Sequence, residues 1–186
     1  MVIFISIGCL AFIFFLIFDL NKIAHYHRYL NLSFILGILL LLFCSAAILF
    51  NNNSQISTPW RCLTGLLALL FLVLLFYTLF GAIPFKKTYI KTNRNTVVRT
   101  GMYALCRHPG VLWFFFFYLF LGLTAGNRLM LIAALVWTCI DVLYVCIQDR
   151  WIFPLVLEDY HTYQNAVPFL IPDMTSFRNF IHYRER

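Results

Sequence analysis

Charged side chains are scarce in this sequence. Only 11% of its 186 residues are Asp, Glu, Lys or Arg, whereas an ordinary soluble domain has about 25%. Acidic residues are the scarcest, with seven in the chain, and 62% of all residues are hydrophobic. This composition excludes a water-soluble globule. A large soluble catalytic domain does not fit either. It predicts an all-α, polytopic integral membrane protein, because helices satisfy their own backbone in lipid and each span needs roughly 20 apolar residues.

Five apolar stretches are predicted to be transmembrane helices. They cover residues 2–18, 30–50, 63–85, 111–125 and 129–147. The last two are separated only by Gly126-Asn127-Arg128, and Gly-Asn is a turn signal, so we expect a tight helical hairpin there. The first stretch has no Lys or Arg before it and no small-residue cleavage site after it. We therefore expect a retained span and not a signal peptide.

Basic residues are concentrated in alternate loops of this predicted topology. The formal net charge is +7, and six of the 14 Lys and Arg residues lie in the 86–108 loop. The positive-inside rule then predicts that the N-terminus is outside and that the 86–108 loop and the C-terminus are cytoplasmic. Such a loop also attracts anionic lipid headgroups. Membrane topology accounts for the positive charge, so we predict the lipid bilayer as a partner and no binding of nucleic acid.

The cysteines and histidines do not predict a disulfide framework or a metal site. There are six cysteines without C-x-x-C spacing, and several lie in predicted spans. Cys106 lies beside Arg107, which could lower its pKa, so a reactive thiol there stays open. His25 and His27 are better explained by an interfacial belt of aromatic and cationic side chains than by metal binding.

One carboxylate, Asp141, falls inside the fifth predicted span. Such a residue costs about 2.5 to 3.5 kcal/mol on insertion scales and is expected to face the protein interior or a wet cavity. On a helix, Asp141, Tyr144 and Gln148 share one face, and Asp149 lies about 80° from Asp141 near the cytoplasmic end. Two interpretations stay open. Asp141 and Gln148 contact a substrate, or Asp141 pairs with a Tyr or Thr of a neighbouring span and holds helices together.

The polar segment before the fourth span carries a recognisable pattern. Residues 97–109 read V-V-R-T-G-M-Y-A-L-C-R-H-P. This resembles the L-V-x-x-G-x-Y-x-x-x-R-H-P-x-Y signature of the integral-membrane methyltransferases that include isoprenylcysteine carboxyl methyltransferase and the phospholipid N-methyltransferases. Residues 158–172, E-D-Y-H-T-Y-Q-N-A-V-P-F-L-I-P, are similar to the family's closing Y-x-x-Y-x-x-x-V-P-x-x-I-P segment. A hairpin broken at Gly-Asn lies between the two segments in that family as well.

The sequence departs from the family pattern at three places. Val111 stands where the signature has a Tyr, and Val156-Leu157 stand where it has F-G. The acidic pair at the cytoplasmic end of the fifth helix is replaced by Gln148-Asp149-Arg150, which can supply one carboxylate instead of two. These departures bear on the acceptor that the chain would use.

The resemblance implies a specific division of the chain. Residues 1–62 would form two N-terminal transmembrane helices, residues 63–172 a methyltransferase-like core, and residues 173–186 a polar tail. The basic loop and the C-terminal segment would close over S-adenosylmethionine. The residues implied to bind this cofactor are Val98, Gly101, Tyr103, Arg107, His108, Pro109, Tyr160 and Tyr163.

The resemblance also implies roles in catalysis. Arg107 and Asp149 would be the catalytic residues, with Arg107 or His108 meeting the carboxylate of the cofactor. Asp141 and Gln148 would contact the substrate, a lipophilic molecule with an isoprenylcysteine-like carboxylate or a phospholipid amine. Two alternatives remain: a membrane reductase that uses NADPH, because sterol reductases share an R-H motif and a similar tail, and a non-catalytic membrane protein that keeps the fold.

Overall fold

The computed structural model describes residues 1–24, 26–50, 56–81 and 97–183, and this part of the chain is helical without a β-strand. His25 and residues 82–96, which include the end of the third predicted span and most of the basic loop, lie outside the described residues. The helices, in chain order, are α1 Val2–Ala24, α2 Ser33–Phe50, α3 Thr58–Phe76, α4 Met102–Leu105, α5 Pro109–Ala125, α6 Arg128–Ile147, α7 Phe153–Val156, α8 Tyr160–Ala166 and α9 Met174–Tyr183.

Short turns of other helix types extend three of these helices. A 3₁₀ turn, Arg28–Leu32, leads into α2, and π-helical turns, Tyr77–Gly81 and Gln148–Ile152, continue α3 and α6. With these extensions, four helices in the described part of the chain are long and apolar enough to cross a membrane: Val2–Ala24, Arg28–Phe50, Thr58–Gly81 and Arg128–Val156. Helix α5 is also apolar but has only 17 residues. The all-helical architecture is thus confirmed, and four of its helices have the dimensions of a membrane span.

The structure corrects the limits of three predicted spans. Helix α1 continues past residue 18 to Ala24, α3 begins at Thr58 and not at 63, and α6 runs on through its π-helical turn. Polar residues near the end of α1 do not end it because their side chains have partners. The Asn21 amide donates to the His27 carbonyl and accepts from the His27 N–H, both at 3.0 Å. These bonds fix the turn between α1 and α2.

The predicted hairpin at Gly126-Asn127 is confirmed. Gly126 ends α5 in the left-handed conformation, with φ 62° and ψ 31°, which glycine adopts without a steric penalty. Asn127 then caps α6 by accepting from the Met130 N–H at 3.1 Å. Its amide also donates to the Ile48 carbonyl at the end of α2, at 2.9 Å. The start of α5 and the end of α6 therefore lie together at the opposite end of the bundle.

The core lies where α1, α2, α5 and α6 meet. Trp137 is fully buried at its centre and donates from Nε1 to the Ile5 carbonyl of α1 at 2.9 Å. Gly8 allows this approach, because a Cβ there would lie 2.5 Å from the Trp137 ring. Small residues at such contacts let membrane helices pack closely. Helix α3 packs against the outside of α5, where Phe71 stacks on Phe120.

The outward faces of the long helices are apolar. Large hydrophobic side chains are exposed along α1, α2, α3 and α6, among them Leu10, Ile13, Leu39, Leu42, Leu66, Val73, Leu135 and Leu143. A surface of this kind is suited to lipid tails and not to water.

Candidate functional site

The carboxylate of Asp149 is the centre of a polar cluster where α5 begins and α6 ends. It lies in the π-helical turn that continues α6 and is buried. Its oxygens accept from Arg107 Nε at 2.9 Å and Nη2 at 3.1 Å, and from Tyr160 Oη at 2.6 Å. Gln164 Nε2 is 3.2 Å from Oδ2, and His108 Nε2 is 3.2 Å from Oδ1. We call these five residues the Asp149 cluster.

Arg107 joins three segments of the chain through its guanidinium group. Besides the two-pronged contact with Asp149, its Nη1 donates to the carbonyls of Gln164 at 2.6 Å and Val167 at 2.8 Å. Four of the five N–H donors of a guanidinium are thus engaged. The ion pair is largely buried, with the Arg107 side chain 12% exposed. Planar bidentate contacts of this kind are the strong form of a charge-assisted hydrogen bond.

The backbone of the R-H-P segment also pairs with the C-terminal segment. The Arg107 N–H donates to the Pro168 carbonyl at 2.9 Å, and the His108 N–H donates to the Phe169 carbonyl at 3.2 Å. The Phe169 ring lies beneath both side chains, 5.6 Å from the Arg107 guanidinium and 5.1 Å from the His108 ring. The two sequence segments that carry the resemblance are therefore in direct contact.

Tyrosine hydroxyls connect this cluster to α3 and α4. Tyr163 donates to the Tyr103 carbonyl at 2.8 Å, and Tyr103 donates to the Thr78 carbonyl at 2.9 Å, in the π-helical turn after α3. Burial raises the pKa of Tyr103 to about 12 and also raises that of Tyr163. Burial, and then the neighbouring Asp149 carboxylate, raise the pKa of Tyr160. All three phenols are therefore protonated donors at neutral pH.

His108 lies between aromatic rings at the first turn of α5. It is buried and stacks on Phe153 of α7, with ring centres 5.9 Å apart and an interplanar angle of 11°. An ionised carboxylate can only accept, so the contact with Asp149 assigns a proton to Nε2. Pro109 follows as the first residue of α5, a position where its missing N–H costs nothing.

The remaining predicted cofactor residues lie at the edge of this cluster. Gly101 precedes α4 with φ 61° and ψ −135°, a conformation that only glycine adopts readily. Val98 is half-buried in the non-helical segment before it. Next to Val98, Arg99 is exposed and donates to the Asp159 carbonyl at 3.2 Å.

An open groove of about 570 Å³ borders the Asp149 cluster. It is lined by residues 154–162, which include the end of α7 and the start of α8. Leu155, Val156 and Leu157 give it an apolar part, and Glu158 and Asp159 give it an acidic part. Tyr160 belongs to both the groove and the cluster, because it lines the groove while its hydroxyl bonds Asp149.

The predicted substrate residues are not part of the Asp149 cluster. Gln148 points to α1, where its amide donates to Asp19 Oδ2 at 2.8 Å. Tyr144 donates to the same oxygen at 2.6 Å. We call Asp19, Tyr144 and Gln148 the Asp19 network. Asp141, one helical turn before Tyr144, is half-buried and makes no side-chain hydrogen bond within the described part of the chain.

Two sequence-based interpretations are corrected by these contacts. Asp141 makes no side-chain hydrogen bond among the described residues, so its proposed pairing with a Tyr or Thr of a neighbouring span is not realised there. Cys106 is buried at 1% exposure, and burial raises its pKa to about 11. The neighbouring Arg107 does not lower this pKa because its guanidinium is directed to Asp149. Cys106 is therefore not an activated thiol.

Sequence reasoning missed several members of these clusters. Gln164 and Phe169 occupy variable positions of the closing motif, and Phe153 lies outside both motifs, so the pattern gave no signal for them. Asp19 falls in the polar segment after the first predicted span, and nothing in its own surroundings indicated a contact with α6. A polar residue within a hydrophobic helix needs a hydrogen-bond partner. Its presence there would have indicated that Asp19 contacts another part of the fold.

Comparison with known proteins adds no relative. No protein-family model matches the chain, and it has no significant match among curated proteins or solved structures.

Proposed function

We propose that this chain is a membrane-embedded, S-adenosylmethionine-dependent methyltransferase that acts on a lipophilic acceptor. The observation that carries the proposal is the contact between the two motif segments. Arg107 and His108 bond the backbone of residues 167–169, and Tyr163 bonds that of Tyr103. Residues separated by about sixty positions thus build one cluster from the two patterns on which the resemblance rests.

The groove beside the cluster suits the chemistry of the cofactor. Its volume of about 570 Å³ falls within the roughly 300 to 1,000 Å³ of small-molecule sites. The apolar residues 155–157 offer a surface for adenine, and the exposed Asp159 offers acceptors for ribose hydroxyls and an ammonium group. Because Arg107 is occupied by Asp149, the exposed Arg99 at the Asp159 backbone is a better partner for the cofactor carboxylate.

When bound, the cofactor supplies an electrophilic methyl group on a sulfonium ion. The residues of the chain then have to position the acceptor in line with that group, which carries most of the catalysis in such a displacement. Tyr160 lines the groove but is only 3% exposed, so its part is to shape the wall of the groove from within the protein. The Arg107–Asp149 pair acts as a positioning element, since it holds the tail segment and Tyr160 in place.

The saturation of Asp149 favours an acceptor that is already deprotonated. Arg107, His108, Tyr160 and Gln164 all direct donors at its two oxygens, so this carboxylate is poorly suited to remove a proton. A carboxylate acceptor needs no base, whereas an ammonium headgroup does. The proposal therefore gives priority to an isoprenylcysteine-like carboxylate over a phospholipid amine.

A non-catalytic membrane protein is the second candidate. The same saturation favours it, because a carboxylate and a guanidinium that satisfy each other also serve as a structural clasp between α5, α6 and the tail.

The proposal is tested by ligand binding to the purified chain in detergent. A ligand that binds only the folded state raises its stability, so we expect S-adenosylmethionine and S-adenosylhomocysteine to raise the melting temperature and to give calorimetric binding. Asp159→Asn changes the charge of the groove while keeping a residue that tolerates its positive φ, and it should weaken this binding. Asp173→Asn is the matched control, because it makes the same charge change at the cap of α9.

Three other outcomes contradict the proposal. A response to NADPH alone would favour the reductase, and no response to any of the three ligands would favour the non-catalytic protein. Binding that is weakened equally by Asp159→Asn and Asp173→Asn would remove the groove as its location.

A further inference from the structure

The tail beyond the Asp149 cluster forms an amphipathic helix with an apolar face that no described residue covers. Helix α9 carries its apolar and its polar side chains on different sides. Ser176 is buried on the side facing the protein. Met174, Phe177 and Ile181 are exposed on an adjoining stripe, at 76%, 51% and 44%. Thr175 and Arg178 are also exposed, on the polar side of the helix.

The position of α9 in the fold places this stripe at the end of the bundle that holds the Asp149 cluster. Helix α9 packs against α4, which ends just before α5 begins. Its cap is fixed, because Asp173 accepts from the Ser176 N–H at 2.6 Å and the Ser176 hydroxyl accepts from the Asp173 N–H at 3.0 Å. The helix is thus held beside the start of one apolar helix and the end of another.

The exposed apolar stripe has neighbours at the same end of the bundle. Trp151 and Leu155, in the continuation of α6, are exposed, and so is Ile171, just before α9. Tryptophan at the end of an apolar helix is typical of the membrane–water interface. The stripe of α9 therefore lies at the end of the bundle where helices with the dimensions of membrane spans also end.

Charge and area favour lipid over a second copy of the chain as the occupant of this stripe. Arg178 lies on the polar side of α9, and the segment 174–186 contains three arginines and one acidic residue. Ile171, Met174, Phe177 and Ile181 together expose on the order of 500 Å², less than the roughly 800 Å² that each partner buries in a standard protein interface. Amphipathic helices with basic polar faces bind at the surface of anionic membranes.

We propose that α9 lies in the surface of the bilayer, with Met174, Phe177 and Ile181 among the acyl chains and Arg178 at anionic lipid headgroups. The helix holds α4, and with it Tyr103, against the leaflet. This assignment does not depend on methyl transfer.

Cysteine accessibility tests the orientation of the helix. Phe177→Cys and Thr175→Cys are each reconstituted in nanodiscs of phosphatidylcholine and phosphatidylglycerol and treated with a charged maleimide. Labelling at the introduced position is read by peptide mass, so that the six native cysteines do not interfere. Position 177 should react about tenfold more slowly than position 175, the factor expected for a side chain that is withdrawn from water by about 1.4 kcal/mol.

A second pair of measurements tests the lipid contact itself. Arg178→Glu should increase labelling at position 177 in the anionic discs and should have less effect in discs of phosphatidylcholine alone, because only the former attract Arg178. Equal labelling of positions 175 and 177 in the anionic discs would overturn the proposal. Protection at position 177 that appears only in discs with two copies of the chain would also overturn it, in favour of a dimer contact.

Discussion

Two carboxylates lie at the end of α6 that the predicted topology places near the cytoplasm. Different partners hold each of them. Asp149 accepts from four side chains, one of which is a guanidinium at 2.9 Å. Asp19 accepts from two neutral side chains, Tyr144 and Gln148, and has no cation at ion-pair distance within the described residues. Gln148 and Asp149, adjacent residues of the π-helical turn that continues α6, thus belong to two separate networks.

The difference shows what each network does for the fold. The Asp149 cluster joins segments up to sixty residues apart. It includes an ion pair, so removal of either partner of that pair leaves the other as an unpaired buried charge. Among the described residues, the Asp19 network joins α1 to α6 and its continuation through three hydrogen bonds, two to Asp19 and one from Gln148 Nε2 to Tyr144 Oη at 2.7 Å. Each bond in the smaller network therefore carries a larger share of the stabilisation, whereas in the larger network the cation matters most.

Removal of the cation should have the largest effect. Arg107→Ala leaves the buried Asp149 carboxylate without its charged partner, and we expect it to lower the free energy of unfolding by about 3 to 5 kcal/mol. Denaturant titration in detergent micelles measures this. Arg107→Lys keeps the charge but loses the planar fork and should have an intermediate effect. Exposed Arg99→Ala is the control. Equal losses for Arg107→Ala and Arg99→Ala would mean that the pair contributes little.

The Asp19 network should respond strongly to the loss of one donor. Tyr144→Phe removes the 2.6 Å hydrogen bond to Asp19 and the 2.7 Å bond from Gln148, and it leaves Asp19 with Gln148 alone. We expect a loss of about 1 to 2 kcal/mol, measured by the same titration. A double variant with Asp19→Asn should lose less than the sum of the two single variants, since both act on one bond. Strict additivity would show that Tyr144 acts on stability independently of Asp19.

The same change should have less effect in the Asp149 cluster. Tyr160→Phe removes a hydroxyl that also bonds its carboxylate at 2.6 Å, but Arg107, His108 and Gln164 still donate to it. We expect a loss of about 0.5 kcal/mol, at the low end for a hydrogen bond. Comparison of the two Tyr→Phe variants in one detergent isolates the effect of the remaining partners. A larger loss for Tyr160→Phe than for Tyr144→Phe would reverse our description of the two networks.

The smallest effect is expected at pH 9, at the start of a loss of stability that grows toward pH 11. The pKa of Cys106 is about 11 in the folded chain against 9.0 for a free thiol. Folding raises this pKa, so the protonated Cys106 thiol contributes to the free energy of unfolding. The contribution is intact below pH 9, falls as the unfolded thiol ionises, and is lost by about pH 11. At pH 9 the loss amounts to about 0.4 kcal/mol. Cys106→Ala should flatten this part of the stability profile, and an unchanged slope would assign the alkaline loss to other groups.

The all-helical fold was largely predictable from the sequence, whereas the polar contacts were only partly predictable. Hydropathy and the Gly126-Asn127 turn predicted the long helices and the hairpin, because both depend on local composition. The helix limits were missed where a polar residue such as Asn21 has a partner elsewhere, since a hydropathy average does not register that partner. The motif residues Arg107 and Asp149 were singled out, but their ion pair spans 42 positions and required the fold.

Helix α5 has a further consequence for the way the bundle meets a bilayer. Its 17 residues measure about 26 Å at 1.5 Å per residue, which is shorter than the roughly 30 Å hydrocarbon layer of a typical bilayer. The longer helices α3 and α6 pack against α5, and none of its residues is fully exposed. Hydrophobic mismatch acts where a helix meets lipid, so α5 can be short without thinning the bilayer. His108 and Pro109, buried at its start, are thus sheltered by protein at a depth that the longer helices cover.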